Sequence, residues 1–355
     1  MRFTYFLFFV GCALIASFFY GCDRTNGSKS KVVVGDTVRL DPQRTIIFLD
    51  KTASAAAIGI DTLTPFFERI NNLDMSLQMG SDYTDSQHDS LRHSYIKFLK
   101  QHTLSFTNAE KAELLTSVRE TYFYTNALSP TLLPKTLYFI KIDGEGYGKD
   151  IFYTRNANII IPEKELKAAL AGDTVAFRRT ITHEVFHVIS RYHTKLQAAL
   201  YAAIGFDTMS TMRVPEVLLK KLLVNPDGVN MQYRMKLSDT LQGVMLTYSR
   251  PLNARSEFFE HFKSDMFQVK RRGGAWEVIA DTLGESTLAN AWQEPFFKQI
   301  GTNTEYYIHP DEILAENFAL LIASKKPNKK GNPDTELDAE GRQLLMRLEK
   351  IFKKQ

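Results

Sequence analysis

The chain has 355 residues, 44% hydrophobic and 24% charged, ordinary globular proportions that exclude a fibrous or disordered polypeptide. Its formal net charge of +4 is too small to argue for a nucleic-acid partner. The 2 cysteines, Cys12 and Cys22, both precede Asp23, so the rest of the chain holds neither a disulfide nor a thiolate metal site.

Residues 1–22 carry one early positive charge, Arg2, then an apolar stretch that ends at Gly21-Cys22, the shape of a secretory signal peptide. The Gly21-Cys22 junction resembles the lipobox of bacterial lipoproteins. That resemblance implies a lipidated Cys22 and a protein held in the bacterial cell envelope, outside the cytoplasm; an uncleaved anchor is the alternative. Residues 23–31, rich in Ser, Gly, Asn and charge, read as a flexible tether.

Residues 32–134 form a mainly helical region. It opens with strand-like Val32–Leu40 and Thr45–Leu49, then shows helical spacing near Thr62–Leu73, Ser86–Gln101 and Asn108–Tyr122. His88, His93 and His102 occur here without metal-ligand spacing. From 135 the chain turns strand-like: Thr136–Ile142, Ile151–Thr154 and Ala157–Ile161 are β-branched or aromatic runs separated by Asp143-Gly144 and Asn-containing breaks. Pro162 closes the last strand, Glu163–Leu170 reads as a short helix, and Asp173 or Thr174 is placed to cap the next one.

That next helix, Val175–Tyr192, sets Phe177, Ile181, Val185, Val188 and Tyr192 on one apolar stripe. Away from the stripe it carries His183-Glu184-Val185-Phe186-His187. Two histidines four apart on a helix project side by side and can reach one metal ion. Glu184 stands where a carboxylate can take a proton from a metal-bound water, the HExxH spacing of zinc metallopeptidases. His193 lacks the spacing of a third histidine ligand and reads as a helix-end residue.

A long insertion, residues 205–304, follows. It reads as a helix at Val214–Val224, a turn at Asn225-Pro226-Asp227-Gly228, and strands at Tyr233–Leu237, Val244–Tyr248 and Met266–Lys270. Gly273–Leu283 and Leu288–Gln299 are ambiguous or helical. Residues 309–322 are helical again, with Pro310 in the first turn and Asp311 and Glu312 at its positive end. Glu312 and Glu316, four apart, share a face among apolar neighbours, and buried carboxylates need partners. Residues 325–355 give a basic linker and an amphipathic helix, Glu336–Phe352.

His183-Glu184-x-x-His187 followed by Glu312-x-x-x-Glu316 resembles the gluzincin group of metallopeptidases, which includes thermolysin and neprilysin. The resemblance implies a catalytic region over 135–324. Within it, His183, His187 and Glu312 bind Zn2+, Glu184 is the general base, and Glu316 hydrogen-bonds a ligand histidine. It further implies an oxyanion donor from the helical half, for which His309 is chosen ahead of Tyr306, Tyr307 and Tyr233. An edge strand for substrate is also implied; Asn156–Ile161 is either that edge or an ordinary paired strand.

The fold expected is α+β: a small, mostly antiparallel sheet beside a predominantly helical metallopeptidase-like domain, with the α/β insertion between the two ligand helices. The function expected is a membrane-tethered zinc metallopeptidase acting on peptide or protein substrates. Two rivals stay open: an envelope binding lipoprotein whose peptidase-like cleft does not cut, and a structural lipoprotein with an accidental pentapeptide.

Overall fold

The computed structural model describes residues 35–250, 258–290, 293–326 and 337–355. The expected leader with Cys22, the tether and most of the basic linker lie outside the described residues.

A hairpin of β1 (Asp36–Arg39) and β2 (Thr45–Phe48) opens the described chain. Five helices follow: α1 (Lys51–Ala57), α2 (Phe66–Arg69), α3 (Asn72–Gln78), α4 (His88–Gln101) and α5 (Asn108–Leu128), with the short β3 (Thr103–Leu104) before the last. The helix expected over 62–73 breaks in two. Asp61 accepts from the backbone of Leu63, Thr64 and Phe66, delaying its start, and Asn71 caps a separate α3 through Asp74 N. A Thr107–Glu110 capping box fixes the start of α5.

Strands β4 (Thr136–Ile142), β5 (Tyr153–Arg155) and β6 (Asn158–Pro162) complete a six-stranded sheet in the order β1-β2-β4-β6-β5, with β3 paired on β4. Its central pairings, β2 with β4 and β4 with β6, are parallel, so the sheet is mixed rather than mostly antiparallel. The α1–α5 stretch supplies the crossover that a parallel β2–β4 pair requires. Phe139, Ile140, Ile159, Ile160 and Ile161 are all fully buried, because apolar layers cover both faces of these strands.

Asn156, the single described non-glycine residue at positive φ (52°), turns the chain back so that β5 lies outside β6. Of the two readings of 156–161, the ordinary paired strand holds, and the edge is β5.

The helical half is built from α6 (Glu163–Leu170), α7 (Thr174–Tyr192) and α8 (Thr194–Ala203). The insertion then folds as β7 (Phe206–Thr208), β8 (Met212–Arg213), α9 (Glu216–Leu219), β9 (Tyr233–Lys236), β10 (Gln242–Ser249), a 3-10 turn at Phe258–Glu260, β11 (Phe262–Arg272), β12 (Ala275–Val278) and α10 (Gln293–Ile300). Its strand order is β7-β9-β10-β11-β12-β8. The two outermost strands are neighbours in sequence, so the sheet curls into a half-barrel around Val244, Leu246, Phe267 and Val278.

The helix expected over 214–224 shrinks to the single turn α9. Beyond it Leu222 bridges to Tyr248, and Leu223 N donates to Thr247 O, so pairing with the sheet overrides helical propensity. The ambiguous stretch after 273 includes β12, entered through Gly273 and Gly274 at φ 52° and 83°, values open to glycine. Finally α11 (Pro310–Ser324) packs on α7, and α12 (Ala339–Phe352) closes the core through Phe186, Phe318 and Phe352.

One buried acid ties the first helices to the insertion. Asp74 accepts from Val224 N (2.8 Å) and from Gln78 Nε2 (2.7 Å), while Asn71 Nδ2 donates to Leu222 O. Burial, opposed by those bonds, raises the Asp74 carboxyl from 3.8 to about 6. An acid raised by folding stabilises the fold while protonated; the gain is complete below its unfolded value and is lost as pH climbs through the folded one. Relative to wild type, Asp74→Asn should therefore gain roughly 3 kcal/mol between about pH 4 and pH 7, read by urea unfolding at both ends. Parallel pH profiles for the two proteins would remove Asp74 from this role.

Candidate metal centre

The site forms where α7 meets α11. His183 and His187, one turn apart, hold their rings 4.7 Å centre to centre. His183 faces Glu312 and Glu316, whereas His187 faces Asp311 and Glu312, so the helices run antiparallel. Pro310 at the start of α11 and two acids in its first turn suit the positive end of a helix dipole.

Glu312 Oε2 lies 3.1 Å from His183 Nε2 and 3.4 Å from His187 Nε2. Ligands about 2.0–2.1 Å from a tetrahedral zinc are separated by about 3.3 Å, which both Glu312 distances match, and all three ligand atoms lie within 4.8 Å of one another. His183, His187 and Glu312 thus form a buried triad able to hold a metal ion. The outer nitrogens are both engaged: His183 Nδ1 with Glu316 Oε1 at 2.9 Å, His187 Nδ1 with Asp311 Oδ2 at 2.7 Å. That engagement aims both Nε2 atoms at Glu312 and sets the tautomer a metal ligand needs.

The supporting carboxylates are themselves held. Arg179 donates to Glu316 (2.5 Å), Ser190 and Tyr201 donate to Asp311 (2.5 and 2.8 Å), and Asn225 Nδ2 donates to Glu312 Oε1 (2.7 Å). Against this background two buried atoms, His187 Nε2 and Glu184 Oε2, have no hydrogen-bond partner among the described residues. They lie on the same side of the site, and a cation with its bound water satisfies both.

The electrostatics ask for positive charge. Burial opposes an imidazolium at His183, yet the bonds to Glu312 and Glu316 outweigh it and raise its pKa to about 9. At His187 burial is likewise overcome, by Glu312, Asp227 and the bond to Asp311, and its pKa also rises. Glu312 stays well below the usual carboxylate range, because the two imidazoles outweigh its burial. Two protons or one divalent ion can supply that charge. Glu184 moves the opposite way: burial and the Asp227 charge lift it to about 8, against the pull of both histidines.

A cleft of about 250 Å³ opens on these groups, with Phe152, Arg179, Glu184, Asp227 and Tyr306 among its walls. Although 42% of Tyr306 is exposed, its phenol faces the cleft. Burial there and the charges of Glu312, Asp227, Glu184 and Glu316 hold its proton on far above the ordinary value.

His309, expected as the oxyanion donor, has another job. Its Nδ1 accepts from Asp311 N as the cap of α11, and its Nε2 donates to Asn230 O, so no ring N–H remains for a substrate. Tyr307 packs on Phe296 and Phe297, and Tyr233 packs on Tyr201. Tyr306 is the one of the four that lines the cleft. His193 bonds Leu132 O at the end of α7; His88 bonds Asn72, His93 bonds Asp89 O and His102 bonds Asp143, none of them a residue of the site.

Three functional positions escaped the sequence reading. Asp311 reads there as a dipole residue of the first turn, and Asn225 and Asp227 as turn residues. The Asp311-Glu312 pair was the available hint, since neighbouring acids on one helix can serve two histidines on another. No family model, curated protein or solved structure matches this chain.

Zinc should raise the unfolding midpoint of the wild-type protein, by a linkage of ~2.7 kcal/mol at about 100 times the dissociation constant, and His187→Ala should lose the shift. Asp311→Asn should weaken zinc ~10–100-fold in a chelator competition while the chain stays folded. Unchanged affinity would show that the His187–Asp311 bond does not support the ligand.

Proposed function

We propose that this chain is a zinc-dependent peptidase of gluzincin type. The observation that carries the reading is the convergence of three ligand atoms within 4.8 Å of one another, with an unpartnered Glu184 oxygen in the same cleft wall. A two-histidine, one-carboxylate set suits zinc and leaves a position open for water.

The ion, when bound, supplies Lewis-acid activation of that water and of the scissile carbonyl. Glu184, whose carboxylate lies in the cleft wall beside the two histidines, takes a proton from the attacking water and delivers it to the leaving amine. Tyr306, protonated and facing the cleft, donates to the oxyanion that develops on the substrate. Glu316 and Asp311 hold both rings in orientation with the proton on Nδ1, and Phe152 lends the cleft an apolar wall.

The Gly21-Cys22 junction supports a lipid anchor in the bacterial envelope, with the cleft outside the cytoplasm and peptides or proteins as its substrates. No described helix is long and apolar enough to cross a membrane. Labelled palmitate incorporated by the wild-type chain and not by Cys22→Ala would support the anchor.

Glu184→Gln should lower peptide hydrolysis by ~10²–10⁴ while zinc stoichiometry stays the same. Tyr306→Phe should lower kcat by ~10² with little change in KM. Full activity in Glu184→Gln would dismiss the assigned base. A zinc-loaded wild-type protein that cleaves no peptide would leave a binding lipoprotein instead.

A further inference from the structure

Resting on the hydrolytic reading, segment 222–230 restricts which peptides the cleft can take. Strand β5 is the sheet edge beside the site, and the N–H of Thr154 points away from β6, where an extended substrate would pair with it. That donor is already used. Asp227 Oδ1 accepts from Thr154 N at 2.7 Å and also from the Thr154 hydroxyl.

The obstruction is fixed in place. Leu223 exchanges bonds with Thr247, Val224 N donates to Asp74, and Asn225 donates to Glu312. On the far side Arg69 donates to Val229 O at 3.0 Å, and Gly228 sits so close under the His309 ring that a Cβ there would lie 2.2 Å from Nδ1. A buried segment pinned from several directions belongs to the stable part of a fold and does not swing aside for a passing chain. On this side the cleft ends at Asp227.

What closes it is an acid. The carboxylate of Asp227 lies within 4.8 Å of the ligand atoms of Glu184 and His187, beside the reacting groups. The cleft is lined by Asp150, Glu184, Asp227, Glu312 and Glu316 against Arg179, which Glu316 engages at 2.5 Å, and His183, while behind the wall Arg191 stands 3.8 Å from Asp227 Oδ1. At the closed end, beside the Asp227 carboxylate, an ammonium is attracted and a carboxylate chain end is not.

We infer that the enzyme is an aminopeptidase: Asp227 seats the free α-ammonium of the substrate, and the first peptide bond is the one presented to Glu184. In the reaction water oxygen bonds the carbonyl carbon and the C–N bond breaks. The water proton passes through Glu184 to the departing amine, so no other reactant is needed.

The test uses the full chain, zinc-loaded, with an alanine-rich hexapeptide and its N-acetylated twin. Wild type should release single residues in order from the amino end, read by mass spectrometry, and leave the acetylated peptide intact. On Glu184→Gln, calorimetry should find the free peptide bound ~10–100-fold tighter than its twin, with parity once Asp227→Asn is added. Equal affinities, or internal fragments appearing first, would overturn the inference. So would faster cleavage of the acetylated peptide by Asp227→Asn, which would make the segment a movable plug. Absence of hydrolysis with the preference intact would count against the peptidase assignment alone and leave the ammonium seat standing.

Discussion

Where α7 meets α11, two imidazoles leave water together with the carboxylates of Glu184, Asp311 and Glu312, and the rest of the structure is arranged around that burden. An unpaired buried charge costs several kcal/mol, so every one of these groups needs a partner or a proton. The antiparallel docking provides most of them: each histidine finds one carboxylate behind it and shares Glu312 in front. Counting Asp227 and Glu316, five carboxylates gather here against the guanidiniums of Arg179 and Arg191. Positive charge is needed here, and the spacing of the Glu312 and histidine ligand atoms is what suits a single divalent cation to supply it.

The two sheets serve this arrangement in different ways. The mixed sheet gives α7 a rigid apolar bed, and its edge is fastened to the helix by Arg191, which donates to Asn156 O and Thr154 Oγ1. The half-barrel is the support from which segment 222–230 reaches back. Through Asn225 and Asp227 that segment brings a donor to Glu312 and a carboxylate to the cleft wall. The insertion thus builds the site as well as flanking it. Its anchoring to α3 through Asp74 gives the N-terminal helices a part in the same task.

Much of the ligand set was legible because it is local. His183 and His187, or Glu312 and Glu316, are pairs at helical spacing, and spacing on one helix is written in the chain. The alternation of helix, strand and insertion was readable for the same reason, apart from element ends. The break at 62–73 came from local caps, but the other errors share one cause, a neighbour distant in sequence. His309 reads as a free donor until Asn230 O and the start of α11 claim its two nitrogens. Residues 156–161 read equally as an edge or as a paired strand, and only β5 folding outside them decides for the second. The segment after α9 reads as helix until β10 pairs with it.

The sequence by itself determined the ligand chemistry, since imidazole and carboxylate at a fixed helical pitch need no tertiary information to be recognised. Tertiary structure alone decided that the two helices run antiparallel, and with that direction the carboxylate behind each imidazole, Glu316 for His183 and Asp311 for His187. It also decided that a turn of ordinary appearance, 225–228, would end as the acidic wall of the cleft. The reason is that direction and closure are properties of packed surfaces, set by what each face must bury, and no short stretch of chain carries that information.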